Sequence, residues 1–311
     1  MSPKTTWIVS EANAGLRAQA LGLAEAAGLC AETRDIRAVG LWRHIPAALW
    51  PRPLAAIAPD ALREPWPGLL IGCGGKAAAV LAALAKRSRT VIVQHPRMNP
   101  RRFDLVMVAR HDELAGPNVI VTRTALHRMT PARLAEAAAL WGPRLAHLPR
   151  PLVAVLLGGA NGRFRFDAAV AERLAAQLAD LARREGAGLV VTASRRTSPE
   201  IRRVFEARLP SVGGWMWDGT GDNPYAGMLA VADVIVVTED SVSMMSEAVA
   251  TTAPVMVAEL PGRSRRIGTF LRGLEADERI RRFAGRLERW PVTPIDDTPG
   301  AAAEMRRRFG Y

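Results

Sequence analysis

A short glycine-rich segment, residues 158–162, carries the clearest chemical signal in the sequence. It reads GGANG, and it directly follows an apolar run that ends at Leu157. Glycines let a backbone approach a phosphate group closely, and the N-terminus of a following helix offers N–H groups and a positive dipole end. The segment therefore predicts a phosphate site, and the alternative is a tight strand-to-helix turn that binds nothing. The residues assigned to this site are Gly158, Gly159, Asn161 and Arg163.

Two further polar segments follow apolar runs in the same half of the chain. The first, TASRRTS at residues 192–198, has hydroxyls and arginines that can hold phosphate or ribose. The second, TEDSVSMMSEA at residues 238–248, contains Glu247, whose carboxylate can accept two hydrogen bonds from a ribose diol. The alternative is that these side chains only cap the helices that follow. The predicted nucleotide contacts are Ser194, Arg195, Arg196, Thr238, Asp240, Ser241, Ser243, Met244 and Glu247.

Two candidate proton acceptors lie in the first half of the chain. His95, in the stretch QHPR, follows a predicted strand at a place suited to a general base or a substrate ligand. Asp112, in ARHDE, has a similar position. Both are predicted catalytic residues, and the alternative for both is a side chain satisfied by its own turn.

Several known motifs are incomplete or missing. GCGGKA, at residues 72–77, fits the G-x-G-x-x-A dinucleotide pattern, but the acidic residue expected about 20 residues later is absent. We therefore expect a tight turn that opens a cleft, and no NAD. The sequence has no Walker A, HExxH, GxSxG or DxD motif, and Cys30 and Cys73 belong to no Cys/His cluster. No metal and no cofactor are predicted.

The elements that must position these side chains alternate along the chain. Short β-rich apolar runs are followed by Ala/Leu-rich segments of helical period, which is typical of βαβ units and a parallel sheet. Three prolines between Trp141 and Pro151 break both helix and strand, so we place a domain boundary there. The prediction is two Rossmann-like α/β domains, residues 1–147 and 148–311, with parallel sheets facing a cleft. Ligands of such sheets bind at the carboxyl ends of the strands.

The individual elements follow from the same patterns. The predicted strands are 7–10, 69–72, 90–94, 105–108, 119–122, 152–157, 188–192, 213–217, 234–238 and 254–258. The predicted helices are 14–27, 76–87, 131–141, 167–184, 199–208, 224–232, 241–250, 264–273 and 301–309.

Charge and composition bear on partners and location. The net charge of +12 attracts anions such as phosphates, acidic membranes or nucleic acid. Nucleic acid is not predicted, because there are only 2 Tyr and 7 Phe and no recognised nucleic-acid module. LWRHIPAALWPRP, at residues 41–53, predicts either contact with an anionic membrane or a surface helix packed on the sheet. Without a long apolar span or signal peptide, we expect a cytoplasmic protein, with any lipid association peripheral at the inner face of the membrane.

Several stretches resemble the mitochondrial-fission "elongated mitochondria" family, known from plants and widespread in bacteria. They include QHPRMNPRRFDLVMVARHD, VAVLLGGANGRFRF and NPYAGMLAVADVIVVTEDSVSMMSEAVATTAPVMV. That family is similar to GT-B glycosyltransferases, in which a glycine-rich loop holds the pyrophosphate and a later helix supplies a glutamate to the ribose. The resemblance implies these roles for Gly158, Gly159 and Glu247, and a terminal helix at about 300–309 that crosses back to the N-terminal domain. The family's more usual QDPR is QHPR here, so His95 replaces an acidic residue.

Together these observations predict a protein that takes a nucleoside-diphosphate sugar as its substrate. The N-terminal domain is the expected acceptor side and the C-terminal domain the nucleotide-sugar side. The expected activity is metal-independent transfer of the sugar to a lipid or cell-envelope acceptor. Two alternatives stay open: a non-catalytic peripheral membrane or scaffold protein of the same family, and a nucleotide-sugar epimerase.

Overall fold

Alternating strands and helices build two six-stranded sheets in the computed structural model, which describes residues 5–311. In both sheets every pair of neighbouring strands is parallel. The strands are β1 (Thr6–Ser10), β2 (Ala31–Asp35), β3 (Leu69–Cys73), β4 (Arg89–Val93), β5 (Leu105–Ala109), β6 (Val119–Thr122), β7 (Leu152–Leu157), β8 (Gly188–Ala193), β9 (Trp215–Met216), β10 (Val234–Thr238), β11 (Val255–Ala258) and β12 (Ile280–Arg282).

The connections between most strands contain α-helices, as parallel pairing requires. The helices are α1 (Ala14–Ala26), α2 (Gly75–Leu84), α3 (Pro131–Leu145), α4 (Ala168–Glu185), α5 (Pro199–Arg208), α6 (Tyr225–Val231), α7 (Val242–Val249), α8 (Arg265–Ala276) and α9 (Thr298–Phe309). Among the described residues, none of these helices combines the length and the apolar character needed to cross a membrane.

The first sheet has the strand order β2-β1-β3-β4-β5-β6. The chain leaves β1 towards β2 and then returns to the other side of β1 with β3, so the order reverses between β1 and β3. Helices cover both faces: Ile8 of β1 lies in one buried cluster with residues of α1 and α9, while Trp7 and Val9 lie in another with residues of α2. Such a reversal leaves a crevice at the carboxyl ends of the two strands.

The second sheet has the strand order β12-β11-β10-β7-β8-β9, and its order reverses between β7 and β10. Both of these strands are buried along their whole length and consist almost entirely of apolar residues. Continuous apolar strands are typical of parallel sheets covered on both faces, and they made this half of the fold readable from the sequence. The carboxyl ends of β7 and β10 lead into two of the polar segments singled out by the sequence.

The chain divides into two units at places that differ from the predicted boundary. The first unit contains the described residues up to Arg128 together with Asp296–Tyr311, and the second contains Met129–Ile295. The predicted division after residue 147 therefore falls inside the second unit. The terminal helix α9 belongs to the first unit, where it packs against α1.

Packing of α3 against α6 explains the position of the division. The prolines after Trp141 do not end α3 at once, since the helix continues through Pro143 to Leu145. The indole of Trp141 lies directly on Gly227 of α6, where an added Cβ would be 2.3 Å from the ring. This close contact fixes α3 to the second unit, although the sequence placed it in the first domain.

Replacing Gly227 with alanine tests this packing. Gly227→Ala is expected to destabilise the protein by about 1–3 kcal/mol, because the new methyl group overpacks against the indole of Trp141. Gly142→Ala is the matched control in α3, because nothing lies within 4 Å of a Cβ there. It should stabilise the helix by about 0.5–1 kcal/mol. Urea unfolding followed by tryptophan fluorescence measures the free energy of unfolding of both variants. Equal values for Gly227→Ala and Gly142→Ala would contradict the contact.

Candidate functional site

Three loops meet at the carboxyl edge of the second sheet. They follow β7, β8 and β10, and these strands are neighbours because β7 pairs with both β8 and β10. The loops contain residues 158–163, 194–197 and 239–241. The strand order reverses between β7 and β10 at this edge, which is where open α/β sheets bind ligands.

The carboxylate of Asp240 joins the three loops. Its side chain is fully buried, with 0% of its surface exposed. It accepts hydrogen bonds from the Gly159 N–H at 3.0 Å, the Thr238 hydroxyl at 2.7 Å and the Arg196 guanidinium at 2.8 Å. Arg196 also donates to the Gly159 carbonyl at 3.1 Å. A buried carboxylate is stable only when it is paired and hydrogen-bonded, so these contacts define the shape of the edge.

The two glycines of the loop after β7 make room for groups of the protein itself. A Cβ at Gly158 would lie 2.1 Å from the Asp240 carboxylate, and one at Gly159 would lie 2.2 Å from the Arg196 carbonyl oxygen. Their N–H groups donate to Thr238 and Asp240. The sequence predicted these two glycines as phosphate contacts, and in the structure their N–H groups are bonded within the protein.

The helix after this loop begins close to its predicted start at residue 167. α4 starts at Ala168, and Asp167 caps it by accepting a hydrogen bond from the Val170 N–H at 3.0 Å. A carboxylate therefore sits at the helix N-terminus where a phosphate was expected. Asn161 shapes the loop instead: its side-chain amide donates to the Asp240 carbonyl, and its oxygen accepts from the Arg163 N–H.

Three predicted arginines lie at this edge with their side chains exposed, namely Arg163, Arg195 and Arg196. The Ser194 hydroxyl supports the loop that carries two of them, because it accepts from the Arg196 N–H at 3.2 Å and bonds to the Thr197 hydroxyl at 3.1 Å. The edge thus combines a buried, neutralised acid with exposed cations.

Helix α7 contributes the remaining predicted residues. Ser241 caps the helix by accepting from the Met244 N–H at 3.4 Å, and Ser243 and Met244 are partly buried in its first turn. Glu247 lies further along the helix and accepts a 2.5 Å hydrogen bond from the Tyr225 hydroxyl. Burial raises the pKa of Glu247 to about 7, although the bond from Tyr225 opposes the shift. The sequence missed Tyr225, whose only signal was its place in NPYAG at the start of α6.

The C-terminal end of α7 is held by a buried arginine. The Arg279 guanidinium is 1% exposed and donates to the backbone carbonyls of Val249, Thr251 and Ala253 at 2.7–3.0 Å. Burial lowers the pKa of Arg279 to about 10, so it stays charged at neutral pH. The positive charge faces the negative end of the helix dipole. α7 is therefore fixed at both ends, by Ser241 and by Arg279.

His95 and Asp112 lie at the carboxyl edge of the first sheet, after β4 and β5. The His95 Nδ1 accepts from the Arg97 N–H at 2.9 Å, so the proton of the neutral ring is on Nε2. The Asp112 side chain is 4% exposed, in a short helical turn beside His111. Proton transfer to His95 therefore requires rotation of the imidazole ring, and proton transfer to Asp112 requires opening of its turn.

Two solved structures share the fold. The UDP-GlcNAc 2-epimerase from Neisseria meningitidis bound to UDP-GlcNAc has a TM-score of 0.54 and 12% identity, with 99% of this chain and 92% of that chain covered. The glycotransferase of kitacinnamycin has a TM-score of 0.54 and 13% identity, with 100% and 96% covered. At such low sequence identity, these structural similarities concern the fold alone. They confirm the predicted GT-B-like α/β class.

Sequence similarity goes further. The Mitochondrial fission protein ELM1 of Arabidopsis thaliana is 31% identical over 286 residues, covering 81% of this chain and 66% of the plant protein. The chain therefore spans just under two thirds of that relative. Residues 14–309 match the family described as Mitochondrial fission ELM1. The resemblance seen in the sequence is confirmed, and this chain belongs to the mitochondrial fission ELM1 family.

Proposed function

We propose that this protein binds a nucleoside-diphosphate sugar at the carboxyl edge of the second sheet and transfers the sugar to a hydroxyl of a lipid or cell-envelope acceptor. The observation that carries the proposal is the set of exposed arginines beside the N-terminus of α7, at the reversal point of the sheet. Two anionic phosphates fit this environment, because guanidinium groups pair with phosphate oxygens and the helix dipole is positive there.

The proposed chemistry follows from these charges. Arg163, Arg195 and Arg196 would stabilise the diphosphate as the bond from the anomeric carbon to its oxygen breaks and the electron pair leaves with the phosphate. A new bond forms between the anomeric carbon and the acceptor oxygen. The proton of the acceptor hydroxyl passes to a base, for which His95 and Asp112 are the proposed residues after the rearrangement described above. No metal or cofactor has a role in this proposal.

Glu247 is the proposed ribose contact. Its carboxylate accepts hydrogen bonds from the two ribose hydroxyls, and Tyr225 orients it through the bond to Oε2. Support comes from the structural neighbour that holds UDP-GlcNAc, which makes uridine nucleotides the first ligands to test. An epimerase would use the same donor site, and release of free sugar or UDP without an acceptor would distinguish it.

Donor binding is expected to depend on Glu247. Without this carboxylate, affinity for UDP-GlcNAc should fall about 10- to 100-fold, the range for lost hydrogen bonds to a charged group. The rise in melting temperature with added ligand measures this, because a ligand that binds only the folded state stabilises it. Glu247→Ala should lose the rise, whereas Glu206→Ala, an exposed glutamate of α5, should keep it. No rise in the unchanged protein with any nucleoside-diphosphate sugar would contradict the proposal.

Two opposite pH trends are expected from the raised pKa of Glu247. As pH falls through about 7, protonation removes the charged ribose acceptor, so donor affinity should fall. The empty protein should gain stability over the same change, because the folded state then binds a proton that the unfolded state, with an ordinary pKa, does not. Glu247→Gln should remove both trends. Titrations with UDP-GlcNAc measure the donor affinity at pH 6 and pH 8, and urea midpoints measure the stability of the empty protein at the same two values. A change of affinity and stability in the same direction would contradict the role of Glu247.

A second candidate function, attachment to an anionic membrane surface, is favoured by residues 41–53. Trp50 is buried and donates to the Ile45 carbonyl at 3.1 Å, so this tryptophan serves the core. The large exposed apolar side chains of this segment are Leu41 at 79%, Leu49 at 69% and Ile45 at 36%, with the exposed basic Arg43 nearby in sequence. Exposed leucines next to a cation are typical of peripheral membrane contacts.

Vesicle sedimentation tests this second candidate. The protein is expected to pellet with vesicles that contain phosphatidylglycerol and to stay in solution with pure phosphatidylcholine. Leu41→Ser with Leu49→Ser should reduce binding tenfold or more, since each buried leucine contributes about 1.5–3 kcal/mol. Leu140→Ser is the control, because Leu140 is 49% exposed on α3. Equal pelleting of both variants would show that residues 41–53 do not contact lipid.

A further inference from the structure

The first unit has its own pocket at the point where its strand order reverses. The pocket has a volume of about 1010 Å³ and lies at the carboxyl ends of β1, β2 and β3. Its lining includes Glu11 after β1, Asp35 at the end of β2 and Lys76 in the first turn of α2. Pockets of this size at the reversal point of an α/β sheet are typical ligand sites. None of the predicted nucleotide contacts and neither predicted catalytic residue lines it.

Two of the lining residues form an ion pair. The Lys76 ammonium donates to the Glu11 carboxylate at 2.6 Å, and the two side chains are only 28% and 36% exposed. The pair joins the loop after β1 to the start of α2, which follows β3. It therefore spans the crevice between β1 and β3. Both groups keep hydrogen-bonding capacity for a ligand, since a carboxylate has two acceptor oxygens and an ammonium has three donor hydrogens.

The lining carries charged groups of both signs. Beside the Glu11–Lys76 pair, it has the carboxylates of Asp35 and Asp60 and the guanidinium groups of Arg37 and Arg43. Asp35 is already paired with Arg17 outside the lining. A mixed set of donors and acceptors suits hydroxyl groups, because each hydroxyl both donates and accepts a hydrogen bond.

The position of Glu11 argues against a phosphate ligand. Dinucleotide-binding sheets place glycines and free N–H groups in the loop after the first strand, where the pyrophosphate lies. Here that loop carries a carboxylate, which repels phosphate oxygens. The glycine-rich GCGGKA stretch begins in the last two residues of β3 instead, and its Lys76 is bonded to Glu11. The stretch therefore contributes Lys76 to the lining of this pocket and does not serve as a dinucleotide fingerprint.

We propose that this pocket is a second ligand site, which takes a neutral, hydroxyl-rich group such as a sugar ring. Glu11 accepts and Lys76 donates hydrogen bonds to its hydroxyls, while the apolar lining residues Ile36, Ala38 and Val39 pack against its C–H groups. The inference does not depend on the donor site proposed above, because every residue in it belongs to the first unit.

The test compares a neutral sugar with its phosphate. Glucose and glucose 6-phosphate are titrated into the whole protein, and binding is followed by saturation-transfer NMR and by shifts of amides near Glu11 and Lys76. The unchanged protein should bind glucose more tightly than glucose 6-phosphate. Glu11→Gln should lower the ratio of the glucose affinity to the glucose 6-phosphate affinity about fivefold, because it removes one negative charge and keeps the size of the side chain. Lys76→Met should weaken the binding of both.

Two controls accompany these titrations. Glu206→Gln, in the other unit, should leave both affinities unchanged, and melting temperatures show whether each variant is folded. If Lys76→Met fails to fold, Asp60→Asn is the replacement variant. Asp60 is an exposed lining residue, and its substitution should lower the same ratio of affinities as Glu11→Gln does. The proposal is overturned if neither sugar shifts these amides, or if Glu11→Gln leaves the ratio of the two affinities unchanged.

Discussion

The buried carboxylate of Asp240 is the interaction on which the edge of the second sheet depends. It has no access to water, so its charge is stable only because Arg196, Thr238 and the Gly159 N–H surround it. Gly159 and Arg196 come from the loops after β7 and β8, and Thr238 is the last residue of β10. The same carboxylate explains why residue 158 must be glycine, because a Cβ there would occupy its position. The glycine-rich loop is thus shaped first by the protein's own acid, and a ligand must use the groups that remain exposed.

Helix α7 forms the second fixed part of this edge. The Ser241 hydroxyl caps its N-terminus, and the buried guanidinium of Arg279 bonds the carbonyls beyond its C-terminus. Because both ends are held, Glu247 and Tyr225 meet at a defined place on a rigid element. Such rigidity favours recognition, since little side-chain freedom remains to be lost when a ligand binds.

Much of the fold could be predicted from the sequence, because buried parallel strands are continuous apolar runs and their loops are polar. The edge strands β2 and β12 were missed, since AETRD and IRR are short and charged and lack that signal. The domain boundary was misplaced because the proline rule says nothing about Trp141 packing on Gly227. The role of the glycines and the meeting of Tyr225 with Glu247, or of Lys76 with Glu11, depend on contacts between distant segments. Local patterns carry no information about such contacts.

Amide chemical-shift mapping during titration with UDP-GlcNAc is the most direct measurement of binding at the second sheet. A nucleotide-sugar bound at its carboxyl edge predicts perturbed amides in residues 158–163, 194–197 and 238–247, with Tyr225 responding through its bond to Glu247. Saturating nucleotide-sugar that leaves these amides unchanged, or perturbs only residues remote from these loops, would contradict a donor site there.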